Sequence, residues 1–166
     1  MPDPKMLYVL IGPKGSGKTY IGTLVSRHTD IAFLRVEPIW LGLQPGENAW
    51  AKIIAAIGAL FQAHDKVMIE SLGIGEEFRQ FYSALAASYP IQMIHVVADP
   101  DTCLKRVKTR SKTDHIPVSD DQVTAYNQMA ATVSYPWALE IDNNLPASDA
   151  EILAAIRSLG GVEWHP

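Results

Sequence analysis

Within GPKGSGKT, residues 12–19, the glycines, lysine and threonine at Gly12, Gly17, Lys18 and Thr19 keep the spacing G-x-x-x-x-G-K-[ST]. Residue types in that order suit one task, the holding of a phosphate chain. Gly12, Gly15 and Gly17 let the main chain turn tightly and aim successive N–H groups inward, and a helix starting just behind them adds positive potential. Lys18 then reaches the β and γ phosphates, and the Thr19 hydroxyl ligates a Mg²⁺ ion bridging them. The stretch expected to touch nucleotide is Gly12, Pro13, Lys14, Gly15, Ser16, Gly17, Lys18, Thr19 and Tyr20. Chance alone produces such a pattern in on the order of one per cent of chains this long.

A loop of this kind works only between a strand and a helix, and the flanking residues supply both. The apolar run MLYVLI (6–11) precedes it, and Tyr20, Ile21, Leu24 and Val25 behind it share one helical face, with Arg27 and His28 near the favourable carboxyl end. Further strand-length apolar runs occur at 31–36, 66–70, 91–98 and 137–141, separated by helical patterns. Continuous rather than alternating apolar runs suit strands covered on both faces, hence a parallel sheet of βαβ units.

Trp50, Ile53, Ile54, Ile57, Leu60 and Phe61 form one helical stripe behind an Asn48 cap, and Phe78, Phe81, Tyr82 and Leu85 form another before Pro90. Asp99-Pro100 sets a cap and a first-turn proline, while Ser119-x-x-Gln122 and Ser148-x-x-Glu151 read as capping boxes. Gly160-Gly161 then follows near the end of the sequence. The irregular stretch at 109–121 reads either as a mobile flap or as an ordinary surface connection.

The glycine-rich loop in its strand-helix setting resembles the Walker A loop of the P-loop NTPases, and within them the small nucleoside, nucleotide and shikimate-type kinases. The resemblance covers nearly the whole chain as an order of strands and helices, but it is specific at residue level only in the first loop. It implies a three-layer α/β/α domain over residues 1–166, a five-stranded parallel sheet in the order 2-3-1-4-5, and a lid at 109–121. It also implies ATP and Mg²⁺ as cofactors and a second metal-supporting carboxylate at the end of a neighbouring strand. There VMIESLG supplies Glu70 where such kinases often carry Asp, so Glu70 orders metal-bound water, binds acceptor, or simply ends a strand.

After the second strand, kinases of this type commonly place a carboxylate that orients the acceptor hydroxyl, a position filled here by Glu37 in LRVEPIW. The simpler alternative is a surface glutamate ahead of Pro38. Arg35 is placed to pair with Glu37 or to touch an anionic acceptor. Trp40, outside the helical stripe, is the aromatic candidate for an acceptor wall, whereas Trp50 and Phe61 are explained by core packing.

LKRVKTRSK concentrates Lys105, Arg106, Lys108, Arg110 and Lys112 in an otherwise acidic chain. Arg106 and Arg110, four apart, share a helix face and resemble the arginines of a kinase lid, which bring positive charge to the transferred phosphate. A basic helix end favoured by the macrodipole accounts for the lysines. Asp114 and His115 follow, and a lone loop histidine is more often simply exposed. Asp142, Asn143 and Asn144 stand where related kinases hold adenine, although an Asn-Asn turn before a capped helix needs no ligand. No N-K-x-D follows the fourth strand, so the guanine-reading signature of GTPases is absent.

Length and composition are those of one domain: 166 residues, 48% apolar, and a net charge of −4 that argues against nucleic acid as a partner. The amino-terminal apolar run is too short for a signal-peptide core or a membrane span, so a cytoplasmic protein is expected, as monomer or homodimer. The single cysteine, Cys103, reads as a small buried apolar residue. The activity expected is ATP-dependent transfer of a γ-phosphoryl group to a hydroxyl of a small acceptor, a nucleoside or similar metabolite. The rivals are a nucleotide-binding switch with slow ATP hydrolysis and a kinase acting on nucleic-acid ends.

Overall fold

In a computed structural model, residues 4–109 and 118–165 are described. Five strands, β1 (Met6–Ile11), β2 (Ile31–Leu34), β3 (Lys66–Ser71), β4 (Ile91–Val97) and β5 (Trp137–Asp142), form one sheet in the order β2-β3-β1-β4-β5. Every neighbouring pair is parallel. The helices are α1 (Lys18–His28), α2 (Glu37–Leu41), α3 (Ala49–Leu60), α4 (Gly75–Ala86), α5 (Pro100–Thr109), α6 (Asp120–Ala130) and α7 (Asp149–Arg157). Among the described residues the strand order matches the expected one.

The uninterrupted apolar character of β1 follows from helices on both its faces. Leu7, Val9 and Ile11 pack with Ile53, Ile57 and Phe61 of the α3 segment and Phe78, Phe81 and Leu85 of α4. Tyr8 and Leu10 point the other way, to Ile21, Leu24 and Val25 of α1 and Ile152 and Ile156 of α7. Two apolar clusters on either side of one sheet make the three layers.

Several boundary signals act as their chemistry requires. Asn48 accepts the Ala51 N–H at 3.1 Å, and α5 begins at Pro100. Ser119 and Gln122 form a reciprocal capping box, while at Ser148 the hydroxyl accepts the Glu151 N–H at 3.1 Å. The second strand stops at Leu34, two residues before the expected end, and the chain passes through Arg35 and Val36 into the short helix α2. Glu37 thereby becomes the first helical residue, followed by a first-turn proline. Tyr20 departs from the expected buried face of α1: it is 57% exposed, and its hydroxyl meets Asp149 at 2.5 Å.

Register decides what meets at the carboxyl edge of the sheet. Leu10 of β1 lies beside Glu70 of β3, and Ile11 beside Ser71. The main chain that leaves β1 into the glycine-rich loop therefore passes directly beside the end of β3, with the Gly12 N–H donating to the Ser71 carbonyl at 3.3 Å.

Candidate active site

The loop after β1 takes its shape from glycines that nothing else could replace. Gly15 has φ +84° and Gly17 φ +101°, both in the left-handed region. A Cβ on Gly15 would lie 2.2 Å from the Cys103 carbonyl oxygen, and one on Gly17 would lie 2.4 Å from Asn143 Nδ2. Helix α5 and the β5–α7 connection thus press against the loop as closely as a bare main chain permits. Cys103 itself is fully buried, as expected of a small apolar residue.

Polar side chains hold the loop from outside. Asn127 of α6 accepts the Lys14 N–H at 2.9 Å and returns its own amide to the Lys14 carbonyl at 3.2 Å. Asn143 donates to the Ser16 carbonyl at 2.8 Å. The Arg106 guanidinium spreads over main-chain carbonyls, reaching Gly15 at 3.2 Å, Ser16 at 3.4 Å, Asn143 at 2.6 Å and Asn144 at 3.4 Å. It ties the loop to the β5–α7 connection while also bordering the cavity in front. Loop N–H groups that have protein acceptors include that of Gly12 on the Ser71 carbonyl, that of Lys14 on Asn127, and that of Ser16 on the Pro13 carbonyl at 3.1 Å. The Ser16 hydroxyl is buried and has no hydrogen-bond partner among the described residues.

Lys18 folds over the loop, its Nζ donating to the carbonyls of Gly12 at 2.7 Å and Pro13 at 2.9 Å. The residue as a whole is half-buried, but its amine is surrounded by protein, and that burial lowers its pKa to about 8 against the opposing pull of Glu70. Beside it the Thr19 hydroxyl lies 2.9 and 3.1 Å from the two carboxylate oxygens of Glu70. Glu70 is 5% exposed, and burial raises its pKa while Lys18, Thr19 and Arg35 hold it down. Glu37 is close enough to act on both Glu70 and Lys18.

Among the described residues no group of three or more His, Cys, Asp or Glu side chains could hold a metal unaided. Thr19 and Glu70 instead present hard oxygen donors side by side, which fits Mg²⁺ shared between one or two protein groups and phosphates.

A cavity of about 570 Å³ opens in front of these groups. Of the expected site residues, Lys14, Gly15, Gly17, Lys18, Thr19, Tyr20, Glu37, Trp40, Glu70 and Arg106 line it. Gly12, Pro13 and Ser16 belong to the loop but not to the cavity wall, and Arg35 stands behind it, near Glu70. Arg110, with Lys112, Asp114, His115 and most of the expected lid, lies outside the described residues.

Sequence reading misses four contributors. Trp50, assigned to core packing alone, packs edge-on to Trp40 at 5.4 Å between ring centres and also lines the cavity, as does Phe81. Phe61 does stay in the core, stacked on Tyr89 at 4.4 Å. Asn127 carried a usable signal, because it interrupts the buried stripe of Val123 and Ala130 with an amide, and a buried amide must find partners. Asn143, expected beside adenine or in a plain turn, instead donates to the loop at Ser16.

No family model matches this chain, and no curated protein matches it. Solved structures do. A sugar kinase from Janibacter sp. HTCC2649 is 17% identical, with 95% of this chain and 94% of that one covered at a TM-score of 0.62. The tunicamycin resistance protein of Deinococcus radiodurans is 14% identical, with 99% of each chain covered at 0.68. The APS kinase of Mycobacterium tuberculosis, solved with AMPPNP and APS, is 15% identical, with 96% and 98% covered at 0.60. At such identities the likeness is one of fold, and the fold is that of the P-loop small-molecule kinases.

Proposed function

We propose that this protein is an ATP-dependent phosphotransferase that moves the γ-phosphoryl group to a hydroxyl of a small molecule such as a nucleoside. The observation that carries this reading is the contact of Thr19 with Glu70 beside the Lys18 amine, at the mouth of a cavity that continues past Glu37. The named activities of similar folds, a sugar kinase and an APS kinase, support it.

In this reading the glycine-rich loop and Lys18 hold the β and γ phosphates, and Thr19 and Glu70 would hold Mg²⁺, which would supply charge neutralisation at the phosphates. Lys18 leaves the Gly12 and Pro13 carbonyls for the phosphates. Glu37, on the first turn of α2, orients the acceptor hydroxyl. The acceptor oxygen bonds to the γ phosphorus as the bond to the β–γ bridging oxygen breaks. The electron pair leaves with ADP, and the hydroxyl proton passes to Glu37. Arg106 keeps the loop and the β5–α7 connection in register, and Arg110 brings lid charge to the transferred group.

Incubation with γ-labelled ATP, Mg²⁺ and a panel of hydroxylated metabolites tests the proposal. Label recovered on a small molecule is the expected result. Release of label only as inorganic phosphate overturns it in favour of a switch, and transfer to oligonucleotide ends overturns it in favour of nucleic-acid repair chemistry.

A further inference from the structure

The cavity changes character along its length. At one end stand the loop and every cationic side chain of the described wall: Lys14, Lys18 and Arg106. Beyond Glu37 and Glu70 the wall becomes apolar and aromatic, built from Trp40, Trp50, Ile53, Ile69, Ile74 and Phe81.

The three rings form one surface rather than three separate contacts. Trp50 meets Trp40 edge-on at 5.4 Å and lies 4.9 Å from Phe81 between ring centres. The one polar atom of the Trp50 ring is directed elsewhere, since its indole N–H donates to Glu77 on α4 at 2.9 Å. Phe81 itself and the neighbouring Ile53 and Ile69 are each at most 4% exposed, so the wall is anchored in packed core and holds its shape. Trp40 is carried by α2, whose first residue is Glu37, so one short helix presents both a ring and a carboxylate to the cavity.

Charge and shape then constrain what can sit there. A carboxylate or phosphate on the acceptor would be placed beside Glu37 and Glu70, two acids that line the same cavity. A polyol would lose water to aromatic faces that return no hydrogen bonds. A flat apolar body gains from burial against the rings and leaves its hydroxyl at the boundary where the carboxylates begin.

We infer that the acceptor is an uncharged alcohol on a flat, largely apolar body, held between Trp40, Trp50 and Phe81 with its hydroxyl turned toward Glu37. The inference rests on the kinase reading for the word acceptor, but the chemistry of the pocket is measurable apart from transfer. The transfer step is the one already given: the alcohol oxygen bonds to the γ phosphorus, ADP departs with the electron pair, and the proton moves to Glu37.

The test is calorimetry on the full chain with Mg²⁺ and a non-hydrolysable ATP analogue, using probes matched in pairs. Thymidine is set against thymidine 5′-monophosphate, 2-phenylethanol against 3-phenyllactate, and glycerol serves as the polyol. The uncharged ring-bearing member of each pair is expected to bind at least tenfold more tightly than its anionic partner, and glycerol not at all. Trp40→Ala should weaken that binding about tenfold while leaving the affinity for the ATP analogue unchanged. Tighter binding of the anionic members or of glycerol overturns the inference, as does unaltered binding by the folded Trp40→Ala protein or failure of both uncharged probes at millimolar concentration. Tight binding of the uncharged probes with no label transferred to any alcohol would overturn the kinase reading instead, leaving the pocket's preference standing.

Discussion

Asn127 grips the main chain of Lys14 with both ends of its amide, although 113 residues separate them in sequence. The contact joins α6, the helix after the basic segment, to the third residue of the glycine-rich loop. Because Asn127 is 8% exposed, neither hydrogen bond is easily replaced by water.

Asn127→Ala should therefore cost about 1–3 kcal/mol of stability, the penalty for leaving partly buried polar groups unmatched. Asn127→Asp keeps the acceptor for the Lys14 N–H but loses the donor and sets negative charge beside the phosphate loop. It should weaken binding of an ATP analogue by about tenfold relative to the parent protein. Thermal unfolding and calorimetry on the two variants check these outcomes; wild-type affinity in Asn127→Asp would mean that the amide lies too far from bound phosphate to matter.

Lys18 predicts a pH dependence. Its pKa is lowered to about 8 by burial, so its charge is lost as pH rises through that value. Triphosphate affinity should fall by nearly tenfold per pH unit above about 8, and Lys18→Ala should bind weakly at every pH. The linkage to folding has the opposite sign. The unfolded lysine holds its proton to about pH 10.4, so between these values the unfolded state binds more protons and stability rises with pH. Titrating ATP-analogue binding and urea unfolding across this range separates the two effects.

Glu70→Gln keeps size and a hydrogen-bonding oxygen for Thr19 but removes the charge. Turnover should fall by about 10²-fold, with more Mg²⁺ required for half-maximal rate. Burial raises the Glu70 pKa, so in the parent protein the carboxylate takes up its proton at higher pH than an ordinary glutamate. The parent's rate should accordingly decline on the acid side from above the usual carboxylate range, and the Gln variant should lack that limb. A pH–rate profile at subsaturating Mg²⁺, where protons compete with the ion for this carboxylate, decides the matter.

Gly15 and Gly46 make a matched pair, with φ +84° and +85°. A Cβ on Gly15 meets the Cys103 carbonyl oxygen at 2.2 Å, whereas one on Gly46 meets nothing within 4 Å. Gly46→Ala should cost only the left-handed backbone penalty, about 1–2 kcal/mol. Gly15→Ala should cost more and abolish ATP-analogue binding, because α5 must move away from the loop. Equal losses of stability in the two variants would show that the close approach of α5 carries no strain.

Contiguous residues determined a good deal by themselves. The loop chemistry is written in eight successive positions, and the two-sided burial of β1 and β3 shows as unbroken apolar runs, because strand exposure is a local pattern. Asn48 and Ser119 announced helix starts for the same reason, since a cap acts within a single turn. The tertiary structure alone decided that Glu70 lies against Thr19, through the pairing of Leu10 with Glu70 across β1 and β3. It also decided that Arg106 spans the carbonyls of the loop and of the β5–α7 connection, and that Trp50 serves the cavity as well as the core. Such contacts depend on strand register and on how each helix is rotated against the sheet. Those quantities are set by packing summed over the whole domain, and no short window of sequence carries them.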